Sequence, residues 1–247
     1  MSPMCTLAVL FQAHAAGPLV VAANRDEWLQ RPAAPLGVLR EAPRTLGGRD
    51  LVAGGTWLAV NAHGVVAALT NQPGGRDPQR RSRGELPLLL TACASAREAV
   101  AVLQSGQREA WNPCWLLVGD REALFHVDMT GVGPPLPELL PPGVHVLENH
   151  PLSPRSAKAA RIAGKVEAAA AAARDGDALL AGLSQVLAGH PSPGAEALEA
   201  TCVHAGPYGT RSASLVLVPE RGPPRVLASE GPPCTHPLRE RSELWSG

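Results

Sequence analysis

The first 70 residues carry a strand-like pattern of short apolar runs separated by turn residues. TLAVLFQ and PLVVAAN are joined across HAAG, and TWLAVN and VVAALTN flank Ala62-His63-Gly64. Short runs rich in β-branched residues and bounded by turn residues are typical of strands, and Gly64 suits the left-handed position of a hairpin loop. Consecutive hairpins of this kind predict an antiparallel sheet.

The middle of the chain carries helical and strand patterns in separate blocks. A polar loop at 71–85 precedes two predicted helices at 86–93 and 96–104, and strands then return at CWLLVG, ALFHVD and VHVLEN. The first two of these strands are joined at Gly119-Asp120. A glycine-containing two-residue connection is typical of a hairpin, so the middle strands are also expected to be antiparallel.

The last third begins with an alanine-rich helix that we expect to start at Ser153 as N-cap, with Pro154 in its first turn. A second helix is predicted at 177–187. Three further strand candidates close the chain: ATCVHA, YGTRSASLVLVP and PRVLASE. Strands and helices thus come in blocks without a steady βαβ alternation. This order predicts an α+β layered fold with mostly antiparallel sheets, in a single domain spanning residues 1–247.

The net charge and the length of the apolar runs limit the kinds of partner that the sequence predicts. Lys plus Arg and Asp plus Glu are equal at 22 each, so the sequence does not favour nucleic acid as a partner. No apolar run approaches the roughly 18 residues that span a bilayer, and the first residues lack the basic start of a secretory signal. The sequence therefore predicts a cytoplasmic protein that does not span a membrane.

The five cysteines lie at positions 5, 93, 114, 202 and 234. They are scattered, with no C-x-x-C pair and no matching H-x-x-H or H-x-x-x-H. The sequence therefore predicts neither a disulfide framework nor a zinc site, and we expect no metal and no resident cofactor. The eight histidines show no paired spacing, although a single one could still be an axial haem ligand.

Cys5 follows Met4 at the head of the first predicted strand. If Met4 is the functional start, or if residues 1–4 are removed, Cys5 becomes the N-terminal residue. An N-terminal cysteine combines a nucleophilic thiol with an α-amine of pKa about 8 that can take its proton. Cysteine is also among the most buried residue types, so a structural role for Cys5 is the alternative.

A run of polar residues ends the second predicted strand at Asn24-Arg25-Asp26-Glu27. Asn and Asp at such a place can serve a surface turn. If the strand continues through the run, alternation places Asn24 and Asp26 on one face and Arg25 and Glu27 on the other. The cluster could then serve two environments.

The sequence resembles the NRDE protein family, also called the transport and Golgi organisation 2 (TANGO2) family. Eight motifs match in order along nearly the whole chain: M-C at 4–5, AANRDE at 22–27, RP at 31–32, GGTWLAV at 54–60, G-x-x-A-A-L-T-N at 64–71, RSRGEL at 81–86, N-P at 112–113 and YGTRS at 208–212. The resemblance implies an N-terminal-nucleophile (Ntn) hydrolase-like fold, a four-layer α/β/β/α sandwich of two antiparallel sheets.

The same resemblance implies a set of catalytic positions. By similarity to the penicillin V acylases and bile salt hydrolases, Cys5 matches the nucleophile and Asp26 matches the aspartate that holds its amine. Asn71 and Asn149 match two asparagines that bind the oxyanion and the substrate. Amide side chains suit that role because they donate to a developing oxyanion without titrating.

The position of the arginine differs from the acylase pattern, because those enzymes have an arginine where this chain has Ala23. We expect Arg25 to point to the opposite face from Asp26, where it could bind an anionic group or orient structure, while Arg211 is an alternative source of positive charge. The candidate substrate-binding residues are Asn24, Arg25, Glu27, Arg83 and Arg211. The loop arginines 76, 80, 81 and 83 are either a solvated charge run or a rim for carboxylates or phosphates. Trp57 is expected in the core.

The resemblance implies two alternative functions, each with a small-molecule substrate or ligand. The first is a cysteine amidohydrolase or acyltransferase that acts on a non-peptide C–N bond through an acyl-Cys5 intermediate. The second is a binding or trafficking protein for haem or acyl-CoA-type lipids, to which this family has been linked. A free Cys5 amine is required by the first function and not by the second.

Overall fold

The computed structural model describes residues 5–74, 76–192 and 194–246. The expected removal of residues 1–4 concerns a segment outside these ranges. The strands of the described chain, in order, are β1 Thr6–Phe11, β2 Leu19–Trp28, β3 Ala33–Glu41, β4 Arg44–Asp50, β5 Leu58–Asn61, β6 Val66–Asn71, β7 Cys114–Gly119, β8 Leu124–Asp128, β9 Glu138–Leu139, β10 Gly143–Leu147, β11 His204–Ala205, β12 Tyr208–Val218, β13 Arg225–Ala228 and β14 Arg239–Glu240. The α-helices are α1 Glu85–Leu90, α2 Ala96–Gln104, α3 Ala157–Ala172 and α4 Gly176–Leu187.

These strands form two antiparallel sheets. The first has the order β10-β1-β2-β12-β13-β14, with β11 paired to β12, and the second runs from β3 to β9 in chain order. Both hairpins expected around Gly64 and Gly119-Asp120 are present. Gly64 has φ +89°, the left-handed conformation that its hairpin loop requires.

Three hydrophobic clusters separate four layers. Leu7, Val21 and Leu117 belong to a core between the two sheets. Helices α1 and α2 cover the outer face of the second sheet, and α3 and α4 cover the outer face of the first. The predicted α+β, four-layer α/β/β/α sandwich is therefore confirmed. None of the helices in the described part of the chain has the length and apolar character needed to cross a bilayer.

Some local predictions differ from the structure. Strands β3 and β4 were not predicted, because glycine, proline and charged residues interrupt their apolar pattern. The prediction that Ser153 caps the long helix was wrong. The N-cap is Ser156, whose hydroxyl accepts a hydrogen bond from the Ala159 N–H at 3.0 Å. Of ATCVHA, only His204–Ala205 forms a strand.

Alternation along β1 and β2 decides which way the polar run of β2 faces. Ala8, Val20 and Ala22 pack against α3 and α4, whereas Leu7, Val21 and Ala23 lie between the sheets. Continuing this alternation puts even-numbered residues of β2 toward the helices and odd-numbered ones toward the other sheet. Asn24 and Asp26 thus face the helical layer, and Arg25 and Glu27 face the space between the sheets.

Strand β12 contains a β-bulge opposite this polar run. Thr210 pairs with Asp26 and Ser212 pairs with Arg25, which leaves Arg211 as the extra residue. Val216 and Val218, after the bulge, lie in the core between the sheets. Thr210, before it, is opposite Asp26 and faces the helices.

Gly55 lies where the GGTW motif meets the arginine-rich loop. A Cβ on Gly55 would lie 2.4 Å from the carbonyl carbon of Gly84, and the Thr56 N–H donates to the Gly84 oxygen at 2.8 Å. Gly55→Ala is therefore expected to lower the free energy of unfolding by about 1–3 kcal/mol, measured by chemical denaturation.

A matched control is Gly164→Ala in α3, where a Cβ would meet nothing within 4 Å. This change is expected to raise the free energy of unfolding by about 0.5–1 kcal/mol. Equal effects of the two substitutions would contradict the close approach of Gly55 to Gly84.

Candidate active site

Cys5 immediately precedes β1 and opens onto a cavity between the two sheets. Its neighbour Thr6 pairs with Asn24, so in the antiparallel register Cys5 lies opposite Arg25 and on the same face. Both residues line a cavity of about 270 Å³, which is also lined by Asp26, Glu27, Trp57, Asn71, Arg76 and Arg83. Two parts of the chain that are distant in sequence, the polar run of β2 and the arginine-rich loop, thus meet around Cys5.

The backbone and the thiol of Cys5 have separate partners. The Cys5 N–H donates to Asn149 Oδ1 at 2.7 Å, and the thiol lies 3.9 Å from the backbone oxygen of Asp26. Burial and, after it, the charge of Asp26 raise the pKa of the Cys5 thiol to about 12. The thiol is therefore protonated at neutral pH, and it needs a base before it can act as a nucleophile.

Asp26 lies behind Cys5, with its carboxylate on the helical side of β2. Thr210 Oγ1 donates to Asp26 Oδ1 at 2.5 Å, and the same hydroxyl accepts from the Val203 N–H at 2.8 Å. Burial raises the pKa of Asp26 to about 7, although the Thr210 hydrogen bond and the charge of Lys158 lower it. Lys158 in α3 is itself buried and donates to the Leu198 oxygen at 2.7 Å.

The three asparagines of the predicted site have different surroundings. Asn149 Nδ2 donates to the backbone oxygen of Asn71 at 2.6 Å, so Asn149 connects Cys5 to the end of β6. Asn71 lines the cavity. Asn24 is turned away from the cavity, and its amide donates to the oxygens of Leu187 and Thr201 at 2.9 and 2.8 Å. Asn24 therefore joins β2 to the segment that follows α4, rather than contacting a ligand in the cavity.

Arg25 is a buried cation on the cavity wall. Its guanidinium lies 4.4 Å from the centre of the Trp57 ring, and Nη2 is 3.8 Å from both Glu27 Oε2 and Asp50 Oδ2. Arg25 Nη1 is buried without a hydrogen-bond partner among the described residues. Burial lowers the pKa of Arg25, against the raising effect of nearby negative groups. Trp57 thus packs on the core, as expected, and also supports this cation.

Arg31 completes the group of charges on this wall. Both its Nε and its Nη2 lie 2.8 Å from Asp50 Oδ2, and Nε is 3.6 Å from Glu27 Oε2. Burial raises the pKa of Asp50, but hydrogen bonds from Arg31 and from the Ala53 and Val52 N–H groups outweigh it and the net shift is downward. Asp50 stays ionised and is shared between two arginines.

The arginine-rich loop is held against the cavity by Asn112. The Asn112 amide donates to the backbone oxygens of Asp77, Arg80 and Arg81, at 3.0, 3.2 and 3.0 Å. Arg81 stacks on Trp111 at 3.7 Å and pairs with Glu85, while Arg80 pairs with Asp77. These two arginines therefore stabilise the loop.

Arg76 and Arg83 point to the cavity from the same loop. Arg83 Nη1 donates to the Pro113 oxygen at 3.2 Å, and burial lowers the pKa of Arg83. Within the described residues, neither Arg76 nor Arg83 has a carboxylate within 4.0 Å. Among the described residues, these two arginines of the cavity therefore have no direct ion-pair partner.

Arg211 belongs to a neighbouring cavity of about 190 Å³, which shares Arg25 and Trp57 with the first. Its guanidinium donates to the Leu29 oxygen.

The sequence did not single out Asp50, Arg31, Thr210 or Lys158 for the site. Asp50 ends a strand that was not predicted, and Arg31 and Thr210 lie inside the RP and YGTRS motifs, which could have indicated them.

Comparison with known proteins identifies the family. The model of the family Transport and Golgi organisation 2 matches residues 4–230. The Transport and Golgi organization protein 2 homolog of Bos taurus is 30% identical over 234 residues, which cover 83% of each chain. The homolog of Homo sapiens is 44% identical over 73 residues, covering 28% of this chain and 26% of the relative.

Solved structures of the same fold include two hydrolases. One is a Caenorhabditis elegans ortholog of N-acylethanolamine-hydrolyzing acid amidase, with TM-score 0.60 and 14% identity, covering 86% of this chain and 92% of the other. Another is a mutant of the conjugated bile acid hydrolase from Clostridium perfringens, with TM-score 0.60 and 11% identity over 96% of each chain. The fold is that of the Ntn hydrolases, and the chain belongs to the transport and Golgi organisation 2 family.

Proposed function

We propose that this protein is an N-terminal-cysteine amidohydrolase or acyltransferase, which cleaves a non-peptide C–N bond through an acyl thioester on Cys5. The observation that carries the proposal is the position of Cys5. Its thiol faces a cavity between the sheets, and its backbone nitrogen is bonded to Asn149 at 2.7 Å. The names of the two solved structures, an acid amidase ortholog and a bile acid hydrolase, add support from the same fold.

The reaction requires a free Cys5 amine, because burial and the charge of Asp26 raise the pKa of the Cys5 thiol to about 12 and the thiol needs a base. An α-amine of pKa about 8 takes the thiol proton, and sulfur attacks the substrate carbonyl carbon. The protonated amine then gives its proton to the leaving nitrogen as the C–N bond breaks. Water, or an acceptor amine for acyl transfer, attacks the thioester carbon and releases the thiol.

The surrounding side chains have distinct roles in this proposal. Asn149 orients the Cys5 nitrogen, since its oxygen already accepts from that group. Asn71 on the cavity wall provides the amide donor for the developing oxyanion. Asp26 is a positioning residue, held by Thr210 directly behind Cys5. Its ionised form would stabilise the protonated amine.

The charge of the cavity favours an anionic substrate. Arg76 and Arg83 face the cavity without a carboxylate within 4.0 Å in the described residues, and Arg25 has an unpartnered buried Nη1. Guanidinium groups bind carboxylates and phosphates through paired hydrogen bonds. The substrate is therefore expected to be an acylated amine with an acidic group.

The test of the proposal is a comparison of two forms of the protein, one that retains residues 1–4 and one whose N-terminus is Cys5. Intact mass defines each form, and release of fluorescent amine from a panel of N-acyl amides measures turnover. Hydrolysis by the Cys5-terminal form alone is the expected result. Equal hydrolysis by both forms would contradict the role of the α-amine.

A second candidate function is ligand binding without turnover, with haem or an acyl-CoA-type lipid as the ligand. The uncompensated arginines of the cavity favour it, since they would bind the propionates of haem or the phosphates of acyl-CoA. Among the described residues that line the cavity, Cys5 is the one side chain of a type that binds haem iron.

Arg25→Met separates the two functions when paired with Cys5→Ala. For a binding protein, we expect Arg25→Met to weaken long-chain acyl-CoA or haem binding about 10- to 100-fold, because a buried charged hydrogen-bond donor is lost. Calorimetry measures the first ligand and absorbance titration the second. The control is Arg97→Met on the exposed face of α2. Unchanged affinity in Arg25→Met would count against binding at this cavity.

A further inference from the structure

Two cysteines and two histidines from three segments of the chain meet beside β11. Cys202 and His204 come from one segment, His190 follows α4, and Cys234 lies between β13 and β14. Cys202 Sγ is 3.6 Å from both Cys234 Sγ and His204 Nε2, and His204 Nε2 is 3.2 Å from Cys234 Sγ. Ring nitrogens of His190 and His204 and the sulfur of Cys234 all lie within 4.8 Å of one another.

The separations among Cys202, His204 and Cys234 match those between the ligands of one tetrahedral metal ion. The exposed His190 lies within 4.8 Å of His204 and Cys234, and its ring would have to shift to complete the set with Cys202. With Zn–S bonds of about 2.3 Å and Zn–N bonds of about 2.0–2.1 Å, tetrahedral angles place two sulfurs about 3.8 Å apart and a sulfur and a nitrogen about 3.6 Å apart. The three separations among Cys202, His204 and Cys234 are at or just below these values. By contrast, a disulfide would need the two sulfurs at about 2.05 Å.

We propose that Cys202, Cys234, His190 and His204 bind one Zn²⁺ ion in a tetrahedral site. Two thiolates and two imidazoles form a closed ligand set of the kind found in structural zinc sites, and soft sulfur ligands select zinc over magnesium or calcium. On binding, each thiol gives its proton to solvent, and each histidine binds through a nitrogen lone pair.

Accessibility agrees with a site that takes up its metal from solution. Cys202 is fully buried, Cys234 is half-buried, and both histidines are exposed. The Cys202 N–H donates to the Gly189 oxygen at 2.9 Å, which fixes the segment carrying His190 next to Cys202. Three ligand-bearing segments are therefore close together before a metal arrives, with an open side toward solvent.

The ion would cross-link segments that the backbone connects only distantly. The sequence predicted no zinc site, because these ligands lack C-x-x-C and H-x-x-H spacing and converge only in the folded chain. Val203, between two of the ligands, donates to Thr210 Oγ1, which in turn donates to Asp26. The bound metal thus stabilises the segment that positions Thr210 beneath Asp26.

The test uses the full chain, purified without a polyhistidine tag under reducing conditions and carrying Cys5→Ala, so that Cys5 cannot supply a thiolate. Elemental analysis, Zn²⁺ titration and Co²⁺ absorbance are measured. We expect one Zn²⁺ per chain, a thiolate-to-cobalt charge-transfer band, and a rise in the thermal midpoint on adding Zn²⁺. Because Cys5 is absent throughout, the outcome does not depend on the proposed hydrolase activity.

Cys234→Ser and His204→Gln are each expected to weaken Zn²⁺ binding at least about 100-fold, since changes even outside the ligand shell cost 10- to 100-fold. Cys93→Ala and His63→Gln, which remove a thiol and an imidazole elsewhere, are expected to bind normally. Circular dichroism of the metal-free variants checks that they fold. The proposal is overturned if the reduced, folded protein binds no Zn²⁺, if the control variants lose binding equally, or if Cys202 and Cys234 are recovered only as a disulfide.

Discussion

Alanine in place of Cys5 is expected to lower amide hydrolysis by the Cys5-terminal form at least about 10⁴-fold, because the acyl thioester can no longer form. The cavity itself should persist, since Arg25 pairs with Glu27 and Asp50 and lies over Trp57 without help from the thiol. The measurements are kcat/KM for N-acyl amides and the intact mass of the protein during turnover. A mass increase equal to the acyl group is expected in the unmodified protein alone.

The matched control for this loss is Cys93→Ala. Cys93 is a buried thiol in the helical layer outside the second sheet, with no contact to the cavity. Its loss is expected to leave kcat/KM within a factor of about two, since its effect is on packing alone. Retention of substantial hydrolysis by Cys5→Ala, or equal loss by Cys93→Ala, would contradict a nucleophilic role for Cys5. Undiminished acyl-CoA binding by Cys5→Ala would then support the carrier function.

Asparagine in place of Asp26 is expected to stabilise the protein at pH 8. The pKa of Asp26 is raised from 3.8 to about 7, chiefly by burial, so the folded protein holds this proton more tightly than the unfolded chain does. The stability that this proton contributes is present in full below pH 4 and is lost as the pH rises through 7. Because asparagine does not titrate, Asp26→Asn is expected to raise the free energy of unfolding by up to about 4 kcal/mol at pH 8.

Urea unfolding from pH 4 to pH 9 measures this difference. We expect the free energies of unfolding of Asp26→Asn and the unmodified protein to diverge between pH 4 and 7. Lys158 reduces the gain, because burial lowers the pKa of this lysine and the charge of Asp26 partly offsets that effect, which asparagine would not do. Gly164→Ala provides the control, because it changes no titratable group and should give a curve parallel to that of the unmodified protein. If the free energy of unfolding of Asp26→Asn changes with pH in parallel with that of the unmodified protein, Asp26 does not titrate in this range.

The same substitution is expected to reduce turnover, since a neutral amide cannot stabilise a protonated amine at Cys5. A more stable but less active Asp26→Asn protein would mean that the buried carboxylate is retained for function at a cost in stability. Such costs are common where catalysis requires an unfavourable charge.

Period-two alternation in the sequence was sufficient to predict the orientation of the Asn24 to Glu27 run. It correctly separated Asn24 and Asp26 from Arg25 and Glu27. The position of Cys5 relative to that run depends on the register of β1 on β2, which pairs Thr6 with Asn24. Register is a property of the sheet, so the sequence pattern could not tell which of the two faces Cys5 shares.

Other parts of the site depend on contacts between segments far apart in the chain. Asp50 ends β4, whose mixed pattern concealed the strand, and Lys158 reaches Asp26 from a helix more than 100 residues later. Asn112 was noted only as part of an N-P motif, and its function is to hold the arginine-rich loop. Of these three residues, a motif marked only Asn112, and only the folded chain shows what each one contacts.

The bulge at Arg211 changes the phase of β12 halfway along the strand. Before it, the even-numbered Tyr208 and Thr210 lie on the outer face of the sheet, where Tyr208 packs with Ala200 and Val203. After it, the even-numbered Ser214 and Val216 face the other sheet. In an unbroken strand, all four would share one side. One inserted residue therefore lets a single strand serve Asp26 on one side and the wall of the second cavity on the other. The length of the YGTRS motif, as well as its composition, is thus part of the architecture of the site.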